Sequence, residues 1–245
     1  MLPVLLKLGP LEISTYGVLV ALGWLAGVRW LVSRRAAMKL TEDQVWDLVY
    51  WIFGGAFAGG KIMYFIVTPG SFALTFEALR YGFVFFGGLI GGLAAGWWHA
   101  RKLKLPFLKL ADWFMTALAL GHGIGRFGCL AAGCCYGRHT DLPWGVALAG
   151  DPSRHPTQVY EAVLNLLLFG ALVRWALPRA EDGRWRHGSV LAAYIIGYSV
   201  LRFAVEFLRG DDRGAFVAGL SPSQWVALAA AGATLAALAL RRKSK

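Results

Sequence analysis

Charge is what this sequence has least of. Of its 245 residues only 16% are charged and 57% are hydrophobic, where a soluble domain carries roughly a quarter charged residues. With a mean hydropathy of +0.53, that excludes an ordinary soluble globular domain and points to an integral membrane protein. Acidic residues are scarcest, 14 against 25 lysines and arginines, for a formal charge of +11. Such a balance raises nucleic acid as a partner, but the basic residues sit in short connections beside apolar runs, where they orient a chain in an anionic bilayer. No nucleic-acid partner is expected. Cysteine is nearly absent too. The three cysteines all fall within Cys129–Cys135, too few and too local for a disulfide scaffold and without the paired Cys-x-x-Cys spacing of structural zinc sites, so no metal is expected. Only Lys7 precedes the first apolar run, and no cleavable leader is expected. No internal repeat of the kind that builds many transporters is visible.

What is present in quantity is apolar runs and interface-seeking aromatics, with 11 Trp, 15 Phe and 8 Tyr. Runs long enough to cross ~30 Å of hydrocarbon at ~1.5 Å per residue fall at about 13–32, 48–67, 83–98, 110–124, 157–177, 189–208 and 223–240. The expected fold is therefore an all-α polytopic membrane protein, one transmembrane domain over 1–245 with seven helices and an outer connection at 125–156. Positive charge collects in alternate connections. Arg29, Arg34, Arg35 and Lys39 follow the first run. Arg101, Lys102, Lys104 and Lys109 follow the third, and Arg174, Arg179, Arg184 and Arg186 the fifth. Arg241, Arg242, Lys243 and Lys245 close the seventh. The intervening connections are poorer, with Arg80 in one and Arg209 and Arg213 offset by Asp211 and Asp212 in the other. Positive-inside bias then predicts an outer N-terminus and a cytoplasmic C-terminus.

The segment Gly121–Gly137, GHGIGRFGCLAAGCCYG, concentrates the chemistry. Arg126 falls where an apolar span should be ending, and a guanidinium is kept there only with a partner. In the predicted orientation Arg126, Lys61, Glu161, Arg202 and Glu206 collect in one leaflet from four spans, with Arg138, His139 and His155 in the outer connection and Arg209 at the surface. Arg202 and Glu206 are spaced i, i+4 and can pair with each other. Added to Arg126 and Lys61, they make a clamp for phosphate in a water-poor cavity. His122 lies one turn before Arg126 and admits three readings: a general base, a hydrogen-bond partner or a buried imidazole. The cysteines admit a disulfide, a reactive thiol beside a cation, or inert small side chains. Gly55 and Gly59, and Gly88, Gly92 and Gly96, repeat every fourth residue, the spacing of close helix packing. Gly121, Gly123, Gly125 and Gly128 suit either packing or a bent backbone lining a cavity.

Taken together, the Gly-x-Gly-Arg run at Arg126, the Gly-Cys-Cys-Tyr-Gly at 133–137, His155-Pro-Thr-Gln-Val-Tyr-Glu161, and Tyr198…Arg202…Glu206-Phe207…Arg209 resemble the phosphatidylglycerol–prolipoprotein diacylglyceryl transferases. The likeness runs from Tyr16-Gly17 to Arg209 and includes Phe86-Gly87-Gly88. It implies an enzyme of the bacterial plasma (inner) membrane that moves diacylglyceryl from phosphatidylglycerol to the lipobox cysteine of a prolipoprotein signal peptide, releasing glycerol 1-phosphate, with no cofactor. The resemblance gives Arg126, Arg202 and Glu206 catalytic roles, and His122 joins them as a catalytic candidate from its place one turn before Arg126. Arg126 and Arg202 would hold the phosphate, and Glu206 would orient Arg202. Tyr16, Lys61, Gly87, Gly88, Gly133, Gly137, His155, Tyr160, Glu161, Tyr198 and Arg209 become substrate-binding candidates. Three positions depart from the family pattern. Phe86 stands where many members have histidine, Cys129 and Cys134 stand where asparagine and glutamate are usual, and Lys61 replaces an arginine. The base then falls to His122 or Glu161. The competing functions on the same residues are a lipid or anion translocator and a membrane thiol-redox protein.

Overall fold

The computed structural model describes residues 3–9, 11–68, 82–147 and 152–243. Arg80 and Lys245, two of the residues in the charge pattern, lie outside them. Strands β1 (Val4–Leu8) and β2 (Leu11–Ser14) form an antiparallel hairpin, which the all-α expectation did not include. Eight helices follow among the described residues. They are α1 (Thr15–Ser33), α2 (Arg35–Met38), α3 (Glu42–Val67), α4 (Phe85–Lys102), α5 (Phe107–Ala132), α6 (Thr157–Glu181), α7 (Ser189–Glu206) and α8 (Pro222–Lys243). Five of them, α1, α3, α6, α7 and α8, are long and apolar enough to cross a membrane. The other two expected spans overlap α4 and α5, which are not among those five. Within α6 the backbone opens into one π-turn at Leu172–Ala176. Pro178 lies just beyond it, and a proline ring cannot sit against the carbonyl one turn back in a regular helix.

Two compact units make up the chain: residues 1–30 with 112–245, and residues 31–111. In the second, a seam of glycines joins α3 to α4. A Cβ on Gly55 would lie 2.6 Å from Gly91 O and 2.6 Å from Ala95 Cβ, and one on Gly59 would lie 3.0 Å from Gly91 Cα. The tightest row on α4 is thus Gly87–Gly91, one residue off the Gly88, Gly92, Gly96 row. The latter three meet the side chains of Phe83, Ala56 and Ile52 respectively. Small residues are needed here because backbone meets backbone.

The first unit buries a set of polar side chains among its apolar ones and exposes large apolar residues. Gln158, Glu161, Asn165, Arg202, Glu206, Arg209, Ser221 and Gln224 are buried, while Leu167, Val200 and Val226 on the same helices are exposed. That arrangement suits a chain whose outer solvent is lipid. Asp112, buried at the start of α5, accepts Gly188 N at 2.8 Å and Leu191 N at 2.9 Å, capping α7 from another helix. Trp113 Nε1 donates to Glu181 Oε1 at 3.0 Å and ties α5 to the end of α6. Close passage of α1 along α5 depends on Gly121, where a Cβ would stand 2.9 Å from Gly23 O.

Gly55→Ala should therefore destabilise the protein by about 1–3 kcal/mol. Gly54→Ala, with open space at that position, should be neutral or gain up to about 1 kcal/mol of helix propensity. Thermal unfolding in detergent measures both; equal midpoints would contradict the packing account.

Candidate active site

The glycine-rich segment is helical. Rather than bending at Gly121–Gly128, α5 carries on to Ala132, so the connection expected from residue 125 begins at Gly133. Glycine at 133, φ +71°, ends the helix in a Schellman turn. Gly133 N donates to Leu130 O and Cys134 N to Cys129 O, each at 3.1 Å, satisfying carbonyls that the helix end leaves open. Gly133 thus terminates a helix, and Gly137 marks a close crossing. A Cβ on Gly137 would lie 2.6 Å from His155 O and 2.7 Å from Leu208 O. There residues 136–138 thread between 154–155 and 208–210, with Gly137 N to His155 O at 3.0 Å and Arg138 N to Leu208 O at 2.9 Å.

The start of α6 explains the His-Pro-Thr-Gln-Val-Tyr-Glu run. Pro156 sits at the N-cap. Thr157 Oγ1 donates to Cys135 O and Gln158 Nε2 to Cys134 O, both at 2.7 Å, clamping the cysteine turn to the helix. One turn on, Glu161 is fully buried and is the hub of the site. Its Oε2 lies 2.5 Å from Arg126 Nη2, and its Oε1 lies 3.2 Å from Arg202 Nη1 and 3.4 Å from Arg209 Nη1. Asn165 Nδ2, a further turn along, donates to Glu161 O at 2.8 Å.

A second layer surrounds Glu206. Arg202 Nη2 approaches its Oε2 at 2.7 Å, as the i, i+4 spacing predicts. Arg213 Nε approaches Oε1 at 3.0 Å and Ser221 Oγ donates to it at 2.7 Å. Arg202 and Arg213 both reach Ser223 Oγ, at 3.2 and 2.7 Å. Asp211 binds Arg209 through both oxygens, at 2.8 and 2.6 Å. Burial works to raise the Asp211 carboxyl, but the Arg209 guanidinium holds it below the usual range. Four guanidiniums thus face three carboxylates, leaving one positive charge in excess. Arg126 is the most open of the three around Glu161, its side chain 15% exposed against 10% and 2%. Its Nε, though buried, has no hydrogen-bond partner among the described residues.

His122 lies against Tyr198, ring centroids 5.2 Å apart, and Tyr198 stacks on Tyr194 at 5.9 Å. Tyr16 packs on Gly128, where a Cβ would stand 3.1 Å from its ring. His155 and Tyr160 hold each other at 3.3 Å, and Trp144 Nε1 donates to Tyr160 Oη at 2.8 Å. The residues of α5, α6 and α7 do converge. Lys61, Gly87 and Gly88 belong to the other unit, where Lys61 Nζ donates to Gly82 O at 2.7 Å and both glycines make packing contacts. Phe86 is exposed there beside Phe85.

All three cysteines are free thiols. The Cys129 thiol, then Arg209, pull Cys135 well below the ordinary thiol range, against the effect of burial. Sequence reasoning missed Arg213, Asp211 and Ser223, and it treated Glu161 as a binder or base rather than the hub. Two signals were legible. Gln158, Glu161 and Asn165 form a polar stripe on an apolar helix. Ser221-x-x-Gln224 is a capping box, realised with Ser221 N to Gln224 Oε1 at 3.0 Å and Gln224 N to Ser221 Oγ at 3.3 Å.

Residues 3–240 match the family model for prolipoprotein diacylglyceryl transferase. The chain belongs to that family. Among its relatives is a protein of Clostridium tetani named phosphatidylglycerol–prolipoprotein diacylglyceryl transferase, 38% identical over 237 residues and covering 93% of each chain. Proteins with the same name from Geobacter sulfurreducens and Pseudoalteromonas atlantica are 37% and 36% identical. They cover 98% and 91% of this chain and 96% and 82% of their own. In this member of the prolipoprotein diacylglyceryl transferase family, Arg126, Glu161, Arg202 and Glu206 form one ion-pair network.

Glu161→Ala would leave three arginines facing one another without their shared counter-charge. It should cost about 3–5 kcal/mol, whereas Glu12→Ala, which removes an exposed pair with Lys7, should cost about 0–1 kcal/mol. Comparable losses for the two variants in detergent unfolding would contradict the hub.

Proposed function

We propose that this chain transfers the diacylglyceryl group of phosphatidylglycerol to the lipobox cysteine of prolipoproteins and releases glycerol 1-phosphate. The observation that carries the reading is the cluster of Arg126, Arg202 and Arg209 on one buried carboxylate, with Arg126 Nε unpaired among the described residues. In the reaction the lipobox thiolate attacks the glycerol carbon that bears the phosphoester. The carbon–sulfur bond forms as the carbon–oxygen bond breaks, and the electron pair departs on the phosphate oxygen. Fixed guanidiniums in a water-poor site stabilise that developing charge without reorganising. Arg126 is the direct phosphate ligand in this reading, and Arg202 supports it. Glu206 orients Arg202 while Ser221 holds Glu206. Tyr16 and Tyr198 line the head-group pocket.

Glu161 lies between Arg126, Arg202 and Arg209, so in this reading its part is to hold the arginines. His122, on the same face of α5 as Arg126 and one turn before it, is the better base. Gly133 and Gly137 act by shaping the turn, and His155 and Tyr160 by ordering it. Lys61, Gly87 and Gly88 contribute through the α3–α4 pair.

With α4 and α5 added to the five apolar helices, the chain crosses the bacterial inner membrane seven times, N-terminus outside. The alternating basic connections support that orientation. So do the cations at the end of α4, where Arg101 lies 4.1 Å over Trp97 and Lys102 3.7 Å over Trp98, the company expected at a lipid–water interface.

Transfer of label from phosphatidylglycerol to a lipobox peptide tests the proposal. Arg126→Ala should lower kcat by about 100-fold or more while the protein still inserts with unchanged helix content, and His122→Phe should fall while keeping lipid affinity. Full transfer by the inserted Arg126 variant would overturn the phosphate assignment.

A further inference from the structure

The three cysteines lie outside the reaction just described, and their arrangement answers to a different chemistry. The sequence spacing, Cys129 then Cys134-Cys135, lacks the paired motif of a zinc site. The Schellman turn removes that objection, because it folds the chain back on the last turn of α5 and delivers Cys134 over Cys129. Cys134 Sγ approaches Cys129 O at 3.7 Å. Cys135 takes φ +63°, the left-handed region that residues with a Cβ rarely adopt. The three Sγ atoms lie within 4.8 Å of one another, with no histidine or carboxylate in the group. A cation bound at ~2.3 Å to three thiolates needs sulfurs about 4 Å apart, so closure asks for movements of less than about 1 Å.

The geometry points to a three-thiolate site for a soft, thiophilic d10 cation, Cu(I) or Zn(II), formed by Cys129, Cys134 and Cys135. Thiolate-only donors select such ions over hard ones. Cu(I) is satisfied by three sulfurs, whereas Zn(II) needs a water as fourth ligand. Each sulfur that binds as thiolate releases any proton it holds to solvent. Thiolate charge in excess of the ion's is matched locally, since Arg126 Nη1 stands 4.0 Å from Cys129 Sγ and Arg209 stands beside Cys135. The partly open burial of all three cysteines leaves an entry path. An occupied site would staple the end of α5 to the turn that Thr157 and Gln158 hold, fixing the register of Arg126 against Glu161. This inference does not depend on the transferase reading.

The test is metal binding by the reduced, full-length protein in detergent under anaerobic conditions, using Cu(I) alone and Zn(II) alone against a chelator of known affinity. About one ion per chain is expected from one or both arms, and the tighter arm identifies the metal. Cys129→Ser and Cys135→Ser should each weaken binding by on the order of tenfold or more, with far-UV circular dichroism confirming intact helices. Cys134→Ser, at the most exposed sulfur, provides a variant with little risk to folding and should show the same loss. If the reduced wild-type protein binds neither ion, or if all three variants keep wild-type affinity, the site does not exist.

Discussion

A single buried carboxylate organises this protein's chemistry. Glu161 is wholly excluded from solvent, yet it meets guanidiniums from α5, α7 and the turn after α7. Each of those arginines would be intolerable alone in an apolar bundle, and so would the glutamate. The helices therefore register on one another through this group. The remaining polar features of the first unit serve it. Asn165 occupies its backbone carbonyl, while Thr157 and Gln158 anchor the turn beside it. At the far end of the same helices Asp112 and Trp113 hold α7 and α6 to α5. Arg126 and Arg202 are thus fixed from both ends.

That construction accounts for how a site with few charges can stay both stable and reactive. Guanidiniums that neutralised one another's partners completely would have nothing to offer a substrate. Among these arginines and carboxylates there is one more cation than anion, and Arg126, the most open of the three around Glu161, has an unused donor among the described residues. An incoming phosphate meets charge that is already positioned, so little reorganisation is needed when the leaving group departs. Glu206 and its shell of Arg213, Ser221 and Ser223 hold the second arginine in place.

Much of this was legible in the residues. Long apolar runs locate the helices, and the i, i+4 spacing of Arg202 and Glu206 yields their ion pair directly. The family motifs bring Arg126, Glu161 and Arg202 forward as candidates. What the sequence left hidden depends on long-range geometry. Glycines at 121, 123, 125 and 128 signal flexibility by propensity, yet tertiary packing keeps them helical to Ala132, because α1 needs the close approach that Gly121 permits. Glu161 reads as a helix-start acid, and nothing local says that three arginines share it. The cysteine spacing appears wrong for any cluster until the Schellman turn is drawn. Arg213 sits in a charged loop and looks solvated, though it closes over Glu206.

The central claim is that this arginine cluster grips a phosphate. Phosphorus NMR of glycerol 1-phosphate titrated into the detergent-solubilised protein addresses it without turnover. Saturable broadening or shift of the phosphate resonance is predicted for the wild-type chain, and its loss for Arg126→Gln with helix content unchanged. An identical phosphate signal with and without the Arg126 guanidinium would contradict it.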